Sequence, residues 1–140
     1  MTLDKIGRED LEFLRQLRNA ERRWFFDRAE VTPEAQVIWF ERMRLDQSNH
    51  WYLVRVDQAP AGCFSIKEDG DAGAEVRSIL LSPAFRGRGV MTTAITAAMD
   101  QLGHHLRYFA EIIPENNESI KLFTRLGFTT RAVLMECPAR

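Results

Sequence analysis

Two arginines and two glycines in the middle of the chain have the spacing of a phosphate-binding turn. Residues 79–91 read ILLSPAFRGRGVM, so a buried strand leads into a tight turn that opens directly into a helix. Free backbone N–H groups at such a helix start point outward, and the helix dipole adds about half a positive charge. Gly87 and Gly89 allow close approach of the main chain to a ligand, and Arg86 and Arg88 add cationic donors. This pattern predicts a cradle for a pyrophosphate group.

Other phosphate-binding turns fit these residues less well. No Lys-Ser or Lys-Thr pair follows the second glycine, which argues against a nucleotide-binding P-loop. The glycine fingerprint of dinucleotide-binding folds is also missing from this turn. The remaining alternative to a pyrophosphate cradle is an ordinary arginine-rich connection between a strand and a helix.

A second segment further along the chain carries helix-capping signals. Residues 114–128 read PENNESIKLFTRLGF. Asn116 or Asn117 can cap the start of a helix here, and Gly127 can end it in a left-handed conformation. The segment therefore predicts a short helix that re-enters the sheet after its glycine.

The two segments together resemble the GNAT family of N-acetyltransferases. Residues 86–89 are similar to the acetyl-coenzyme A signature of that family, and residues 116–128 are similar to its later asparagine-led helix. The resemblance extends over nearly the whole chain and implies a single domain of the family's fold, residues 1–140. It implies an enzyme that transfers an acetyl group from acetyl-coenzyme A to a primary amine, which attacks the thioester directly.

The resemblance also assigns residues to the coenzyme. Main-chain groups before the turn would align the pantetheine arm and the acetyl carbonyl, and the turn would hold the pyrophosphate. The implied coenzyme-binding residues are Ile79, Leu80, Leu81, Arg86, Gly87, Arg88, Gly89, Val90, Met91, Thr92 and Asn116. Met91 stands where the family signature has Gly or Ala. Because it heads an apolar stripe, we expect its side chain to pack into the core between helix and sheet.

Glu111 matches the position at which ribosomal N-terminal acetyltransferases of the family place a catalytic base. A carboxylate inside an apolar strand is typical of a tuned acid–base group, and the alternative is a strand-end carboxylate paired with Arg107. Phe123 occupies the position of the family's general-acid tyrosine and has no proton to donate. Water, the departing ammonium, Tyr108 or Ser119 would supply that proton instead.

The N-terminal third narrows the resemblance. Arg18, Asn19, Arg23 and Trp39 are similar to the opening of the amino-sugar N-acetyltransferase branch, which implies that they bind the acceptor. Gln36 stands where that branch has His, and ribosomal-protein and spermidine acetyltransferases share parts of the opening. The resemblance therefore implies a small-molecule amine acceptor, an amino sugar or its nucleotide conjugate. The alternatives are N-terminal acetylation of ribosomal proteins or peptides, a non-catalytic acyl-coenzyme A-binding module, and, for each arginine alone, a solvated helix face.

Hydrophobic periodicity indicates the elements that must position these residues. Thr32-Pro33 is typical of a helix start, and we expect that helix to end near Asp46. The expected strands are 2–6, 51–56, 61–67, 74–81, 106–113 and 128–136, with a turn at 57–60 and a helix over 89–102. The pattern predicts an α/β (α+β) fold, with a mixed central sheet of about six strands flanked by about four helices.

Composition narrows the class of protein. The chain has 140 residues, a net charge of −1, 45% hydrophobic and 28% charged residues, which is ordinary for a globular domain and gives no reason to expect nucleic-acid binding. No apolar run reaches the ~20 residues that span a bilayer, and the polar start is unlike a signal peptide. Neither the cysteines, Cys63 and Cys137, nor the histidines have metal-ligand spacing. We expect a cytoplasmic protein with no metal and no membrane partner, and the family resemblance allows a homodimer.

Overall fold

The computed structural model describes residues 1–139 and contains a five-stranded sheet with two helices on each face. The strands are β1 (Thr2–Asp4), β2 (Asn49–Val56), β3 (Ala59–Glu68), β4 (Ala74–Leu81) and β5 (Tyr108–Phe109). The helices are α1 (Leu11–Ala20), α2 (Pro33–Met43), α3 (Val90–Leu102) and α4 (Asn117–Arg125). The strands lie in chain order across the sheet, antiparallel except for the parallel pair of β4 and β5. The predicted mixed α+β architecture is confirmed.

Two hydrophobic cores lie on opposite faces of this sheet. The core beneath α1 and α2 contains Ile6, Leu11, Leu14, Leu17, Phe40, Leu53, Cys63 and Leu80. The core beneath α3 and α4 contains Val54, Phe64, Ile66, Ala74, Val76, Met91, Ala94, Ile95, Ala98 and Phe123. Fully burying a large apolar side chain stabilises a fold by about 1.5–3 kcal/mol, so the two cores fix the four helices against the sheet.

The helix ends follow the capping signals in the sequence. The side chains of Thr32 and Asn116 each accept a hydrogen bond from the backbone N–H three residues on, at 3.1 and 3.2 Å. Gly127 has φ 90° and ends α4 in the predicted left-handed conformation. One boundary differs, because α2 ends at Met43 rather than near residue 46. Residues 44–48, which include the apolar Leu45, lie outside the helix and are exposed.

The first hairpin turns more tightly than we predicted. Asp57 and Gln58 both have positive φ angles, 50° and 68°, and they alone connect β2 to β3. A two-residue turn of this kind matches the twist of the strands that it joins. Ala59 and Pro60, which were expected in the turn, are therefore the first residues of β3.

A β-bulge interrupts β4. Cys63 lies opposite Leu80 and Ser65 lies opposite Arg77, so β4 uses one more residue than β3 over the same stretch. Ser78, inside this stretch, has φ 56°. An extra residue of this kind bends a strand and takes part of its main chain out of the ladder.

The predicted strand over residues 106–113 is much shorter in the structure. β5 contains only Tyr108 and Phe109, which pair with Ala74 and Glu75 of β4. From residue 110 the chain leaves the ladder, although Ala110 and Ile112 still pack against the α3/α4 core. Apolar burial thus persists without strand pairing, and it includes Ile113, which is 7% exposed.

The predicted final strand, residues 128–136, does not form. Residues 129–139 carry no strand, and Val133, Leu134 and Met135 are 80%, 66% and 86% exposed. A strand is stable only where a neighbouring strand takes up its hydrogen bonds, and β5 is two residues long. The sheet in residues 1–139 therefore has five strands, where the periodicity predicted about six.

Candidate functional site

The parallel strands β4 and β5 part after two residue pairs and leave a gap in the sheet, which we call the cleft. Beyond Glu75 and Phe109, the edge of β4 that faces β5 has no partner strand within residues 1–139. The bulge at Ser78 turns the strand just before residues 79–81. Main-chain groups of Ile79, Leu80 and Leu81 therefore border a gap in the sheet, as an extended ligand requires.

The glycine turn at the end of this cleft presents unused hydrogen-bond donors. None of the turn and side-chain hydrogen bonds within residues 1–139 uses the backbone N–H of residues 87–92 as its donor. Gly87 and Gly89 have φ 77° and 70°, and a Cβ added at either would meet no atom within 4 Å. The turn is thus an open row of N–H groups at the N-terminus of α3, where the helix dipole also favours an anion.

The two arginines of the turn are in different situations. Arg88 lies over the ring of Phe85, 5.8 Å from its centroid, and no carboxylate within residues 1–139 forms an ion pair with it. Arg86 is engaged, because its Nη2 donates to Glu21 Oε1 at 2.7 Å and lies 3.4 Å from the carbonyl oxygen of Leu81. The turn therefore offers one available cation and one shared cation.

The neighbouring residues are compatible with a coenzyme pyrophosphate at this turn. Met91 is 5% exposed and packs into the α3/α4 core, which confirms the expected direction of its side chain. Val90 and Thr92 are half-buried in the first turn of α3. Asn116 starts α4 after β5, and the carboxyl ends of parallel strands meet at one edge of a sheet. Its Oδ1 accepts from the Ser119 N–H, so its amide NH₂ is left for a ligand.

Glu111 lies beyond the end of β5 and is exposed. The expectation of a carboxylate buried inside an apolar strand is therefore wrong, because the strand stops at Phe109. The alternative pairing with Arg107 is not seen either, since the Arg107 guanidinium donates to the carbonyl oxygen of Ala72 at 2.8 Å. Glu111 is thus a solvent-accessible carboxylate two residues past the last β4–β5 pair.

Glu75 is a second carboxylate at this place, and the sequence analysis missed it. It lies on β4 opposite Phe109 and is half-buried. Burial raises the pKa of Glu75, the nearby charge of Glu111 raises it further, and the Arg77 guanidinium opposes both. The Arg77 Nε lies 3.6 Å from Glu75 Oε1. A carboxylate between apolar residues of a central strand was the available signal.

The two candidate proton donors, Tyr108 and Ser119, are in different situations. The Tyr108 hydroxyl lies 2.9 Å from the carbonyl oxygen of Gly103 and 3.1 Å from that of Met99. Its one proton is therefore engaged with main-chain carbonyl groups at the C-terminal end of α3, which argues against Tyr108 as the proton donor. Phe123 is buried against Phe128, with ring centroids 4.9 Å apart. Ser119 lies in the first turn of α4 and stays a candidate.

Arg18 and Asn19 hold the loop between α1 and α2. The Arg18 guanidinium stacks 3.7 Å from the ring centroid of Phe25, and its Nη2 donates to the carbonyl oxygen of Asp27 at 2.6 Å. Asn19 bonds both the N–H and the C=O of Val31, at 2.7 and 3.0 Å. Burial lowers the pKa of Arg18, and its Nη1 is buried without a partner in residues 1–139. These two residues therefore shape the loop, and one donor of Arg18 is still unused.

The other predicted acceptor residues are dispersed. Arg23 is exposed and stacks 4.8 Å from the ring of the tryptophan that follows it. Trp39 meets Trp51 edge-on, with centroids 4.9 Å apart, and packs against the α1/α2 core. Gln36, at the position where the amino-sugar branch has His, is buried, and its amide donates to the carbonyl oxygen of Leu11 at 2.6 Å. Packing of α2 on β2 thus accounts for Trp39, and a hydrogen bond from α2 to α1 accounts for Gln36.

Two further findings concern residues 1–139. None of their helices is both long enough and apolar enough to cross a lipid bilayer. No three of their histidine, cysteine, aspartate and glutamate side chains lie close enough together to hold a metal ion.

Known proteins with related sequences and structures share this architecture. The acetyltransferase (GNAT) family matches residues 11–128. The spermidine N(1)-acetyltransferase of Escherichia coli K12 is 28% identical over 140 residues, which cover 95% of this chain and 75% of that protein. The spermidine N-acetyltransferase of Vibrio cholerae, solved with CoA and spermine, has a TM-score of 0.80 at 20% identity, covering 94% of this chain and 82% of that one. An aminoglycoside antibiotic 6′-N-acetyltransferase of Acinetobacter haemolyticus has a TM-score of 0.74 at 16% identity, covering 100% and 99%. At these identities the two structures show a common fold.

Proposed function

The chain belongs to the acetyltransferase (GNAT) family, and from this premise we propose that it transfers an acetyl group from acetyl-coenzyme A to the primary amine of a small acceptor. One observation carries the proposal for this chain. The N–H groups of residues 87–92 take no part in the hydrogen bonds of the turn, at the edge where β4 and β5 part. Acetyl-coenzyme A, when bound, supplies the acetyl group as a reactive thioester.

The residues around the cleft divide the binding work. The N–H groups of residues 87–92 and the Arg88 guanidinium hold the pyrophosphate, because hydrogen bonds to an ionised group are about twice as strong as neutral ones. Main-chain groups of residues 79–81 orient the pantetheine arm along the unpaired edge of β4. The free amide NH₂ of Asn116 donates to the coenzyme from the start of α4.

Two carboxylates are candidates for the proton acceptor. An amine is nucleophilic only after it has lost its proton, and a positioned base contributes about 10²–10⁴-fold to the rate. The family resemblance favours Glu111, and its exposure allows a water to relay the proton. Glu75 is the second candidate, because burial raises its pKa toward the range of a working base. Phe123 has no proton to give, so Ser119 and water are the donors at this edge.

We propose an amino sugar or a nucleotide-linked amino sugar as the acceptor. The Nη1 of Arg18 supports this, because it has no partner within residues 1–139 while the loop covers it, and a hydroxyl or phosphate oxygen that reaches it when the loop opens would satisfy that donor. Arg23 can add a second cation from the exposed side of the loop. The Acinetobacter haemolyticus relative is an aminoglycoside acetyltransferase, which is consistent with an acceptor of this chemistry.

A polyamine is the second candidate acceptor, because the Escherichia coli relative acts on spermidine by name. The net charge of the segment between α1 and α2 does not favour either the amino sugar or the polyamine. Residues 18–34 contain four arginines, at 18, 22, 23 and 28, and four carboxylates, at 21, 27, 30 and 34. A peptide N-terminus and a non-catalytic acyl-coenzyme A-binding module are the further alternatives.

Release of the coenzyme thiol tests both parts of the proposal. The panel contains amino sugars, UDP-linked amino sugars, polyamines, amino acids and N-terminal peptides, with coenzyme binding followed by calorimetry. Because Cys137 is exposed and would react with a thiol reagent, the assay uses the Cys137→Ser variant. Turnover with amino sugars supports the proposal. A preference for spermidine or peptides overturns the amino-sugar assignment and identifies that substrate as the acceptor. Binding without turnover on any amine identifies a binding module, and absence of binding overturns the coenzyme site.

A further inference from the structure

An ion pair joins the glycine turn, residues 86–89, which we call the coenzyme turn, to the C-terminal end of α1. The Arg86 Nη2 donates to Glu21 Oε1 at 2.7 Å, although the two residues are 65 positions apart in the chain. Glu21 follows directly after α1, and its side chain is only 17% exposed. Arg86 is 38% exposed, so solvent screens the pair from the Arg86 side, but the short distance makes it a tertiary link between two distant segments of the chain.

The same end of α1 also holds the loop of residues 22–32, which we call the acceptor-side loop because the predicted acceptor residues Arg18, Asn19 and Arg23 lie in or beside it. Arg18 donates to the carbonyl oxygen of Asp27, and Asn19 bonds the backbone of Val31 in both directions. One helical turn thus contacts residues 25–31 through Arg18 and Asn19, and it contacts the glycine turn through Glu21. It lies between the two places where we expect the two substrates to bind.

Arg86 has enough donors to serve both partners at once. A guanidinium carries five N–H donors, and only Nη2 of Arg86 has a partner within residues 1–139. The Nε and Nη1 donors are left for a phosphate oxygen. Glu21 therefore does not need to release Arg86 when an anion binds, and a bound anion restrains both ends of the link.

We propose that Glu21 is a positioning residue that couples occupancy of the coenzyme turn to the order of the acceptor-side loop, residues 22–32. The proposal rests on the proposed function, since it requires coenzyme A at the turn. A diphosphate fixes the Arg86 guanidinium, Arg86 fixes Glu21, and Glu21 fixes the turn of α1 from which Arg18 and Asn19 hold the loop. Coenzyme binding thereby prepares the loop for the acceptor.

Amide hydrogen exchange with saturating coenzyme A tests this coupling without an acceptor. Couplings between sites amount to factors of about 5–150, so we expect exchange at Trp24, Phe25 and Val31 to slow by at least about fivefold. In Glu21→Ala the slowing disappears, although coenzyme A still binds within about tenfold of the wild-type affinity. Glu21→Gln keeps a neutral hydrogen-bond acceptor of the same shape, and the slowing is reduced.

Glu12→Ala is the matched control. Glu12 is also on α1 and pairs with Arg15 at 2.6 Å, but this pair lies within the helix and does not reach the turn. Its variant retains the full slowing. Equal slowing in Glu21→Ala and wild type, or faster loop exchange when coenzyme A binds, overturns the coupling while the proposed function stands. Failure of the wild type to bind coenzyme A overturns the proposed function, and the coupling with it.

Discussion

Val76 and Leu80 are four residues apart on β4, yet their side chains enter opposite cores. Val76 packs beneath α3 and α4, and Leu80 packs beneath α1 and α2. In a regular strand, residues four apart share a face. The extra residue at Ser78 inverts the alternation, so Ile79 and Leu81 pack on the same core as Val76 while Leu80 faces the other core.

This bulge should respond to substitution unlike the rest of the strand. A left-handed conformation costs an ordinary residue roughly 1–2 kcal/mol, and glycine avoids this but loses more entropy on folding. We expect Ser78→Gly to leave the free energy of unfolding nearly unchanged, and Ser78→Val to lower it by about 1–2 kcal/mol. Urea denaturation measures both. Arg77→Gly, one residue earlier in the same strand, is the control and should be destabilising.

The glycines of the turn should matter more for binding than for stability. In Gly87→Ala and Gly89→Ala the added methyl meets no atom of the free protein but strains a positive φ, which costs roughly 1 kcal/mol. We expect the affinity for coenzyme A to fall at least tenfold, because the methyl prevents close approach of the main chain. Isothermal titration calorimetry gives the affinity.

Gly70→Ala supplies the matched control for this comparison. Gly70 also has a positive φ, 47°, with no atom within 4 Å of an added Cβ, but it lies in the turn before β4. It should show a similar loss of stability with unchanged affinity. A similar loss of affinity in all three variants would contradict a binding role of the glycine turn.

Replacement of each candidate base should separate chemistry from binding. We expect the variant of the true base, Glu111→Gln or Glu75→Gln, to lower kcat by about 10²–10⁴-fold, while the affinity for coenzyme A stays within about threefold. Glu118→Gln, an exposed carboxylate in the first turn of α4, is the control. An unchanged kcat in Glu111→Gln would exclude Glu111 as the general base. An unchanged kcat in both variants would exclude a carboxylate base altogether.

The pH dependence of activity distinguishes the two carboxylates. A free carboxyl group of glutamate titrates near pH 4.3, and burial raises the pKa of Glu75 above its ordinary value. If Glu75 is the base, kcat/KM declines on the acid side at a correspondingly higher pH, and Glu75→Gln removes that limb. An unchanged limb in Glu75→Gln assigns it to another group.

Glu75 should also make folding stability depend on pH. A raised pKa in the folded state means that folding favours the neutral form, so this contribution is present at low pH and is lost as Glu75 ionises. Glu75→Gln stays neutral, so we expect its Tm to exceed that of the wild type near pH 7 and the difference to shrink toward pH 4. Thermal unfolding at several pH values tests this, and a difference that grows toward pH 4 would contradict it.

The two cysteines should differ sharply in reactivity. Cys63 is 2% exposed, and burial raises the pKa of its thiol to about 12, whereas Cys137 is exposed. Because the thiolate is the reactive form, an aromatic disulfide reagent should label Cys137 rapidly and Cys63 only after unfolding. Cys137→Ser should then show no rapid reaction. Rapid labelling of both thiols in the native protein would contradict the buried position of Cys63.

Local signals in the sequence predicted local structure well. The caps at Thr32 and Gly127 and the extent of β4 depend on residues that are neighbours in the chain, and all three are confirmed. The coenzyme turn has the same origin, because its strand, glycines and helix are continuous. Whether each of its residues contacts the coenzyme stays a prediction.

What the sequence analysis missed depends on tertiary placement. The pair of Glu21 and Arg86 and the burial of Glu75 follow from packing of distant segments, which no local pattern contains. Ser78 is an unremarkable residue for a strand, so nothing nearby signals its positive φ. The strand expected over residues 128–136 contains an apolar run, residues 132–135, but an apolar run does not supply a partner strand.

The parting of β4 and β5 sets folding stability against activity in this protein. Each backbone hydrogen bond that the two strands forgo would contribute about 1 kcal/mol if they stayed zipped together. A variant selected only for thermal stability could gain that energy by pairing β4 with β5 along their whole length. It would then have no room for an extended ligand between the two strands. Screens for more stable variants should therefore select for turnover at the same time, since the unpaired edge of β4 is where we propose that the coenzyme binds.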